Sequence, residues 1–532
     1  MFRSLATSAV ALLAGAAPLL AEVTPAEVWE NLSRYYTDMG YDVAIAATDD
    51  AGGTLTLSEI VFSTDSETTE LSIVVPKMTL QQTGDAKVRT IIDGPVSADM
   101  VSKTVDDEDV NLSSVITVPG NEMLSSGSAG DMLHVMTYPT IEISARFDTD
   151  ETAGAGADMP VRLVMTGVAG EYRSNSKAGQ QSTYDLAAKG LDLTLSMTDP
   201  DTADGNAGSV TATSHVDGLT ASGSMIAPEG KFDMVDNPHE AFRAGMVVQG
   251  GLALGAVTGE AQFSGTDAEG MPQNGSASFA SDSSELLFSM SREGVSYGGS
   301  AKGTEAEMTV GGLPFPISYA IETASGMLNF PISKSDEPQP YKLSYSLSGL
   351  TLADGIWAMF DPQGALPRDP ANLTVDLEGE ARVTEDLLDP TLAQRMAATM
   401  EETAATDGAA TDQPATGDEI MPEMPMPFTP ETVRIKQFLL EAVGARADLS
   451  GDLTIPEGAE QPVGTVEGSF TGLNALLDKL VSMGFVPQEQ VMGARMMLAM
   501  FARPVEGKPD ELQTSLEFRE NGSIFANGQQ VK

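Results

Sequence analysis

The 532-residue chain contains no cysteine. That excludes disulfides, thiolate metal sites, a cysteine nucleophile and a lipidated N-terminal cysteine, so stability has to come from packing alone. Basic residues are scarce: 29 Lys and Arg face 77 Asp and Glu, a formal charge of −48. A surface of that sign repels phosphate backbones and argues against a nucleic-acid partner. The three histidines, His134, His215 and His239, lie in different segments, and none forms a helical zinc motif. No Gly-x-Ser-x-Gly elbow exists; the nearest run, "GGSAK" at 298–302, ends in Lys302. No phosphate loop or dinucleotide fingerprint stands between a strand and a helix. With no nucleophile, base and orienter in a recognisable pattern, the chain reads as a protein that is not an enzyme. Past the N-terminus there is no long apolar run either; "GMVVQGGLALGAV" from Gly245 is too short and too rich in glycine to cross a bilayer.

Residues 1–21 have the layout of a cleavable secretory signal: Arg3, then an apolar stretch ending in Ala21. The expectation is a periplasmic protein with no transmembrane segment once the signal is removed. "TPAEVWENLSRYYTDMG" from Thr24 predicts a helix, with Thr24 as N-cap, Pro25 in the first turn and Gly40 as the stop. Val28, Leu32 and either Tyr35 or Tyr36 share its apolar face, and Trp29 reads as core or interface packing.

Strands dominate the rest, and 52 glycines suit their turns and bends. "TLTLSEIVFS" from Thr54 is read with Leu55, Leu57 and Val61 on one side and Ile60 and Phe62 on the other. "TIEISARF" from Thr140 alternates cleanly. In "GLDLTLSMT", Leu191, Leu193, Leu195 and Met197 alternate with Asp192, Thr194, Ser196 and Thr198, which predicts one buried and one wet face. A Gly followed by Leu or Val punctuates the strands at irregular intervals, among them Gly167-Val168, Gly218-Leu219 and Gly349-Leu350. The fold class is therefore α+β, predominantly antiparallel: a large curved sheet, or packed sheets, with peripheral helices and a C-terminal helical hairpin.

The β-rich main region runs over 22–401. An acidic Ala/Thr/Pro/Met-rich linker covers 402–428, and a C-terminal α+β region occupies 429–532. The linker either separates two units or loops out of one continuous sheet. "DLLDPTLAQRMAATMEET" is read as helical after Pro390, and "TPETVRIKQFLLEAVG" from Thr429 as a helix with a Thr-Pro start and a Gly stop. The run 472–503 reads as a helical hairpin, with Leu473, Leu476, Leu477 and Leu480 as one stripe and Val491, Ala494, Met497, Leu498 and Phe501 as the other. Asn521-Gly522 and Asn527-Gly528 predict tight turns around the last strands.

Three blocks, "LTLADGIWAMFDPQGALPRDPANLTVDLEG" (350–379), "LLDKLVSMGFVPQEQVMGARMMLAMFARP" (476–504) and "NGSIFANGQQ" near the end, resemble the alphaproteobacterial domain-of-unknown-function 2125 family. The resemblance implies an exported envelope protein and transfers no site residues. There is also a fold-level similarity to periplasmic β-rich proteins of the AsmA kind, which are associated with envelope lipids.

The acidic loops at Asp148 and Asp199 miss the EF-hand register, which leaves weak calcium binding as an alternative function. Met132, His134 and Met136 share a strand face and could suit Cu(I), as could Met421, Met424 and Met426, but methionine fills core gaps just as readily. No metal or cofactor is assigned. The apolar hairpin and "DGIWAMFDP" supply the candidate ligand-binding residues Leu477, Leu480, Met497, Phe501, Trp357 and Phe360. The function expected is a non-enzymatic periplasmic protein that binds an apolar envelope ligand, such as a lipid, or an envelope protein. The alternative is a structural or interaction protein without a ligand.

Overall fold

A computed structural model describes residues 23–38, 40–66, 69–102, 110–149, 160–176, 180–198, 208–230, 232, 237–266, 272–389, 391–392, 395, 427–456, 458–459 and 461–532. The signal at 1–21, both acidic loops in large part, the helix expected after Pro390 in large part and the linker at 402–426 lie outside the described residues.

The chain opens with α1 (Pro25–Asp38), capped by reciprocal bonds: the Glu27 amide donates to Thr24 Oγ1 at 3.3 Å and the Thr24 amide to Glu27 Oε2 at 2.9 Å. Then come β1 (Asp42–Ala51), β2 (Thr54–Asp65), β3 (Thr69–Gln82), β4 (Val88–Asp93), β5 (Val96–Ser102), β6 (Val110–Thr117), β7 (Glu122–Ser128), β8 (Asp131–Thr149) and β9 (Val161–Asn175). Next are β10 (Gln181–Ala188), β11 (Gly190–Thr198), β12 (Ser209–Ile226), α2 (Pro238–Arg243), β13 (Val247–Thr266), β14 (Pro272–Ser281), β15 (Ser283–Ser291), β16 (Gly294–Val310), β17 (Ile317–Phe330) and β18 (Gln339–Leu352). The chain ends with α3 (Asp354–Phe360), β19 (Ala371–Val383), β20 (Phe428–Ala442), β21 (Ala445–Thr454), β22 (Val463–Thr471), α4 (Leu473–Ser482), α5 (Gln488–Phe501), β23 (Arg503–Val505), β24 (Lys508–Phe518), β25 (Ile524–Ala526) and β26 (Gln529–Gln530).

These strands form one antiparallel sheet, laid down as a meander in which each rank pairs with ranks close to it in sequence. Several ranks hold two short strands end to end: β10 and β11 together span the gap between β9 and β12, and β14 and β15 that between β13 and β16. β19 pairs with β20, so the sheet runs on into the C-terminal region.

The segment from Thr429 is a strand, not the helix expected. Two register shifts, at Asp376/Leu377 and Glu380/Ala381, leave Val433, Ile435, Phe438 and Leu440 opposite the apolar positions of β19. That 2-3-2 spacing imitates a helical stripe, while the backbone groups are satisfied by β19 on one side and β21 on the other. The hairpin α4–α5 is present as expected. Near the end, Leu516 pairs with Ala526 and Phe518 with Ile524. Asn527 and Gly528 both have positive φ, 51° and 82°, as a type I′ turn requires.

A crease runs across the strands. Glu59, Gly167, Gly218, Gly303 and Gly349 have left-handed φ of 48° to 87° in the middle of long strands. The ladders skip them and the residues opposite, including Pro76, Pro139, Gly255 and Glu322. The breaks between paired short strands fall on the same line. A Cβ on Gly303 would meet Asp282 Oδ2 at 2.1 Å, and one on Gly349 would meet Glu322 Cγ at 2.4 Å, so these charged side chains occupy the space that glycine leaves free.

Each left-handed residue shifts the alternation of side chains by one. In β2 this puts Leu55, Leu57, Ile60 and Phe62 on the same side, in one core cluster with Val28 of α1. The expectation that Ile60 and Phe62 face away from Leu55 and Leu57 is corrected by Glu59.

Candidate functional site

The registers allow every paired position to be assigned to one side of the sheet. From β2 to β22, no Asp, Glu, Lys or Arg occupies the side that α1 packs on, crease positions apart. The opposite side carries the charges, with ion pairs such as Arg162–Glu142, Arg173–Asp131 and Lys436–Glu378. In a chain with 20% charged residues such separation marks this side as an extended apolar patch, unlike the scattered apolar residues of an ordinary surface.

Among the described residues this apolar face is covered at its two ends and, along one margin, by α2, whose Ala241 and Phe242 pack with Met225, Val248 and Met290. At the N-terminal end Val23, Val28, Trp29, Leu32 and Tyr36 pack over β1 to β5 on both sides of the crease. A buried hydrogen-bond chain fastens the helix: Asn31 Oδ1 accepts from His134 Nε2 at 3.2 Å, and His134 Nδ1 then accepts from Ser125 at 2.8 Å. Ser125 and His134 are fully buried. The pair has a nucleophile–base look but no opening for a substrate, and burial lowers the His134 pKa to about 4, keeping the ring neutral. Both ring nitrogens are engaged, which leaves no free donor for the soft-metal set considered from the sequence. Among the described residues there is no cluster of three or more His, Cys, Asp or Glu able to hold a metal ion.

At the C-terminal end α5 lies on the same face. Thr514 and Asn527 both donate to the Phe501 carbonyl, at 2.5 and 2.9 Å, and Val491 is buried.

Among the described residues nothing else covers the face between these ends. Sixteen large apolar side chains on it are exposed, against four on the charged side of the strands. β11 shows the contrast with expectation: it forms as read, but Leu193 is 37% and Met197 53% exposed, so its apolar side is not buried. In the middle of the open stretch is a hollow of about 460 Å³, floored by Ala212, Ala261, Ala277 and Ala306 and flanked by Phe279 and Tyr319. On the other side of the crease Tyr184 lies flat over glycines; a Cβ on Gly223 would meet its ring at 2.7 Å and one on Gly250 its hydroxyl at 2.8 Å. A smaller slot of about 100 Å³ opens between α1 and α2, lined by Tyr35, Tyr172, Met225 and Phe232 with Arg34 at its rim. The Tyr35 and Tyr172 pKa values are raised, chiefly by burial, so both stay neutral hydroxyls.

The residues singled out from the sequence lie in two places. Trp357 is buried in α3, tilted against Phe360 at 5.0 Å, with the Arg368 guanidinium 5.5 Å from its ring. Asp361 closes this plug: burial alone would raise its pKa, but the Leu366 and Ala365 amides donating at 2.9 and 2.8 Å, together with Arg368, hold it below the usual carboxylate range. Leu477 and Leu480 are half-buried in α4, Phe501 is half-buried in α5, and Met497 is 60% exposed on the outer side of α5. The hollow on the sheet was missed. The alanines that floor it come from four strands that only the register brings together.

No curated protein and no solved structure matches the chain. Residues 301–528, from β16 to the final turn, match the family described as an uncharacterized protein conserved in bacteria, domain of unknown function 2125, and over that span this chain is similar to that family.

Proposed function

We propose that this protein is a non-enzymatic binder of an apolar ligand, held on the charge-free face of the sheet between α1 and the C-terminal hairpin. The observation that carries the reading is the segregation itself: sixteen exposed large apolar side chains on a face with no charge from β2 to β22. Leaving such a patch in water is unfavourable by about 25 cal/mol for each Å² that a ligand could cover. Ranks about 4.8 Å apart make the open stretch from β8 to β18 roughly 40 Å long, enough for a ligand with an extended apolar portion. Residues 1–21, read as a secretory signal, support a periplasmic location, and an envelope component, a lipid among others, is the ligand class that goes with it. Leu477, Leu480 and Phe501 then close the end of the face, and Trp357 and Phe360 plug its side.

The test is native mass spectrometry of protein purified from its own periplasm, followed by organic extraction. A retained apolar molecule that is lost on Phe279→Asp supports the reading. An unliganded mass for protein that also takes up no apolar probe in titration sinks it.

A further inference from the structure

The apolar side of the sheet turns polar in the gap between α1 and α2. One row across the strands reads Met132, Ser174, Ser182, Met225, Val248 and Met290, so two serines stand side by side between methionines. Met132 is buried in the cluster beneath α1, and Met225 packs against α2. The serines between them stay half-buried and line the slot of about 100 Å³. The polar groups there form a connected set. Asn31 is held by its Oδ1, which accepts from buried His134, and its Nδ2 donates to Ser174 Oγ at 3.3 Å. The Tyr172 hydroxyl has those of Ser182 and Ser174 as hydrogen-bond partners. Three hydroxyls joined by two links have one O–H more than they use among themselves, so a donor and several lone pairs remain for an outside group.

We infer that this slot holds the uncharged, hydroxyl-bearing head of an amphiphile whose chain lies along the next row of the apolar side. The inference rests on the reading of that side as a ligand surface and names the polar end of its ligand. Three observations select the class. First, the charged residues among those lining the slot are Arg34 and Asp38, and Arg34 is already paired with Glu30. These three sum to −1, in a chain of −48, which turns an anionic head away. Second, about 100 Å³ is well under the roughly 300 Å³ at which pockets for drug-sized ligands begin, so the head is compact, a glycerol unit rather than an oligosaccharide. Third, the adjoining row leads out of the slot without a charge. It runs from Tyr172 through Tyr184 and the glycines Gly223 and Gly250 to Phe288 and Tyr297. At about 4.8 Å per rank this path is roughly 24 Å long. Phe288 and Tyr297 on it are 38% and 52% exposed, which gives an alkyl chain apolar surface to cover.

Isothermal titration calorimetry of the full chain tests it, with 1-decanoylglycerol as the probe and methyl decanoate, the same chain without a free hydroxyl, as the comparison. The wild type should bind 1-decanoylglycerol about tenfold or more tightly than methyl decanoate. Ser182→Ala with Tyr172→Phe removes two hydroxyls, each worth about fivefold, and should bring the two ligands within about twofold while methyl decanoate binds as before. Ser182→Ala alone, which leaves both tyrosine rings in place, should lose about fivefold for 1-decanoylglycerol only. Phe288→Asp should weaken both ligands alike, because it acts on the chain and not on the head. Equal affinity of the two ligands in the wild type, or a preference that survives both hydroxyl variants, overturns the inference and leaves the ligand reading standing. Tighter binding of decanoate or of decylphosphocholine than of 1-decanoylglycerol overturns it in favour of a charged head. No binding of any of the four takes down the ligand reading and this inference with it.

Discussion

Phe279 lies at the centre of the open face and is 43% exposed. A phenylalanine of about 200 Å² therefore leaves roughly 85 Å² for a ligand to cover. At about 25 cal/mol/Å² that contact is worth about 2 kcal/mol, or about thirtyfold in affinity. Phe279→Asp removes it and adds a carboxylate that the ligand would have to desolvate, so thirtyfold is a lower figure. The same change should cost little stability, because Phe279 caps no buried cluster. The assay is a titration with a solvent-sensitive apolar dye, N-phenyl-1-naphthylamine, beside a urea melt. The expected outcome is a dissociation constant raised about thirtyfold or more with an unmoved urea midpoint. Met497→Asp, on the outer side of α5, should leave the titration unchanged. If Phe279→Asp binds the dye within threefold of wild type while Met497→Asp does not, the open face is not the binding surface and the hairpin is.

Two further outcomes concern the frame. His134 is held neutral by burial, with its pKa lowered from 6.5 to about 4. The unfolded chain takes up a proton below pH 6.5 and the folded one does not, so stability is full above 6.5 and falls by about 3 kcal/mol between pH 6.5 and 4 from this group. Urea midpoints across that window should show a fall that His134→Gln lacks; an equal slope in the variant refutes the assignment. At the crease, Gly255→Ala would set a Cβ 2.1 Å from the Asp217 carbonyl oxygen. It should cost about 1–3 kcal/mol, whereas Gly259→Ala, whose nearest contact is 3.5 Å, should fall within about 0.5 kcal/mol of wild type by the same melts.

Much of the fold is legible in the residues. β11 coincides with the alternating run 190–198, and α1 with its cap and its packing face. The failures share a cause. Alternation reports which side chains lie together, not whether anything covers them, so β11 was expected to have a buried side that is in fact open. The misplacement of Ile60 and Phe62 follows from one left-handed residue, Glu59, whose type gives no warning. The β20 segment resembled a helix because two bulges stretched its apolar spacing. The crease was written in the Gly-Leu and Gly-Val pairs, but only the register shows that these pairs align across strands. Met497 was grouped with the inward stripe of α5 because a helix with apolar residues all round does not announce which of its sides meets the sheet.

The pairing pattern bears on how the molecule forms. No described ladder joins strands more than three apart in chain order; even β4–β7 and β6–β8 close over short distances. Contacts of this kind lose little loop entropy, so each rank can zip onto the one before it as the chain emerges, without waiting for a distant partner. Growth by hairpins also makes size modular. Removing or adding two whole ranks between crease residues preserves the parity of every other strand, so the length of the apolar face can change in steps while α1 and the C-terminal hairpin keep their places.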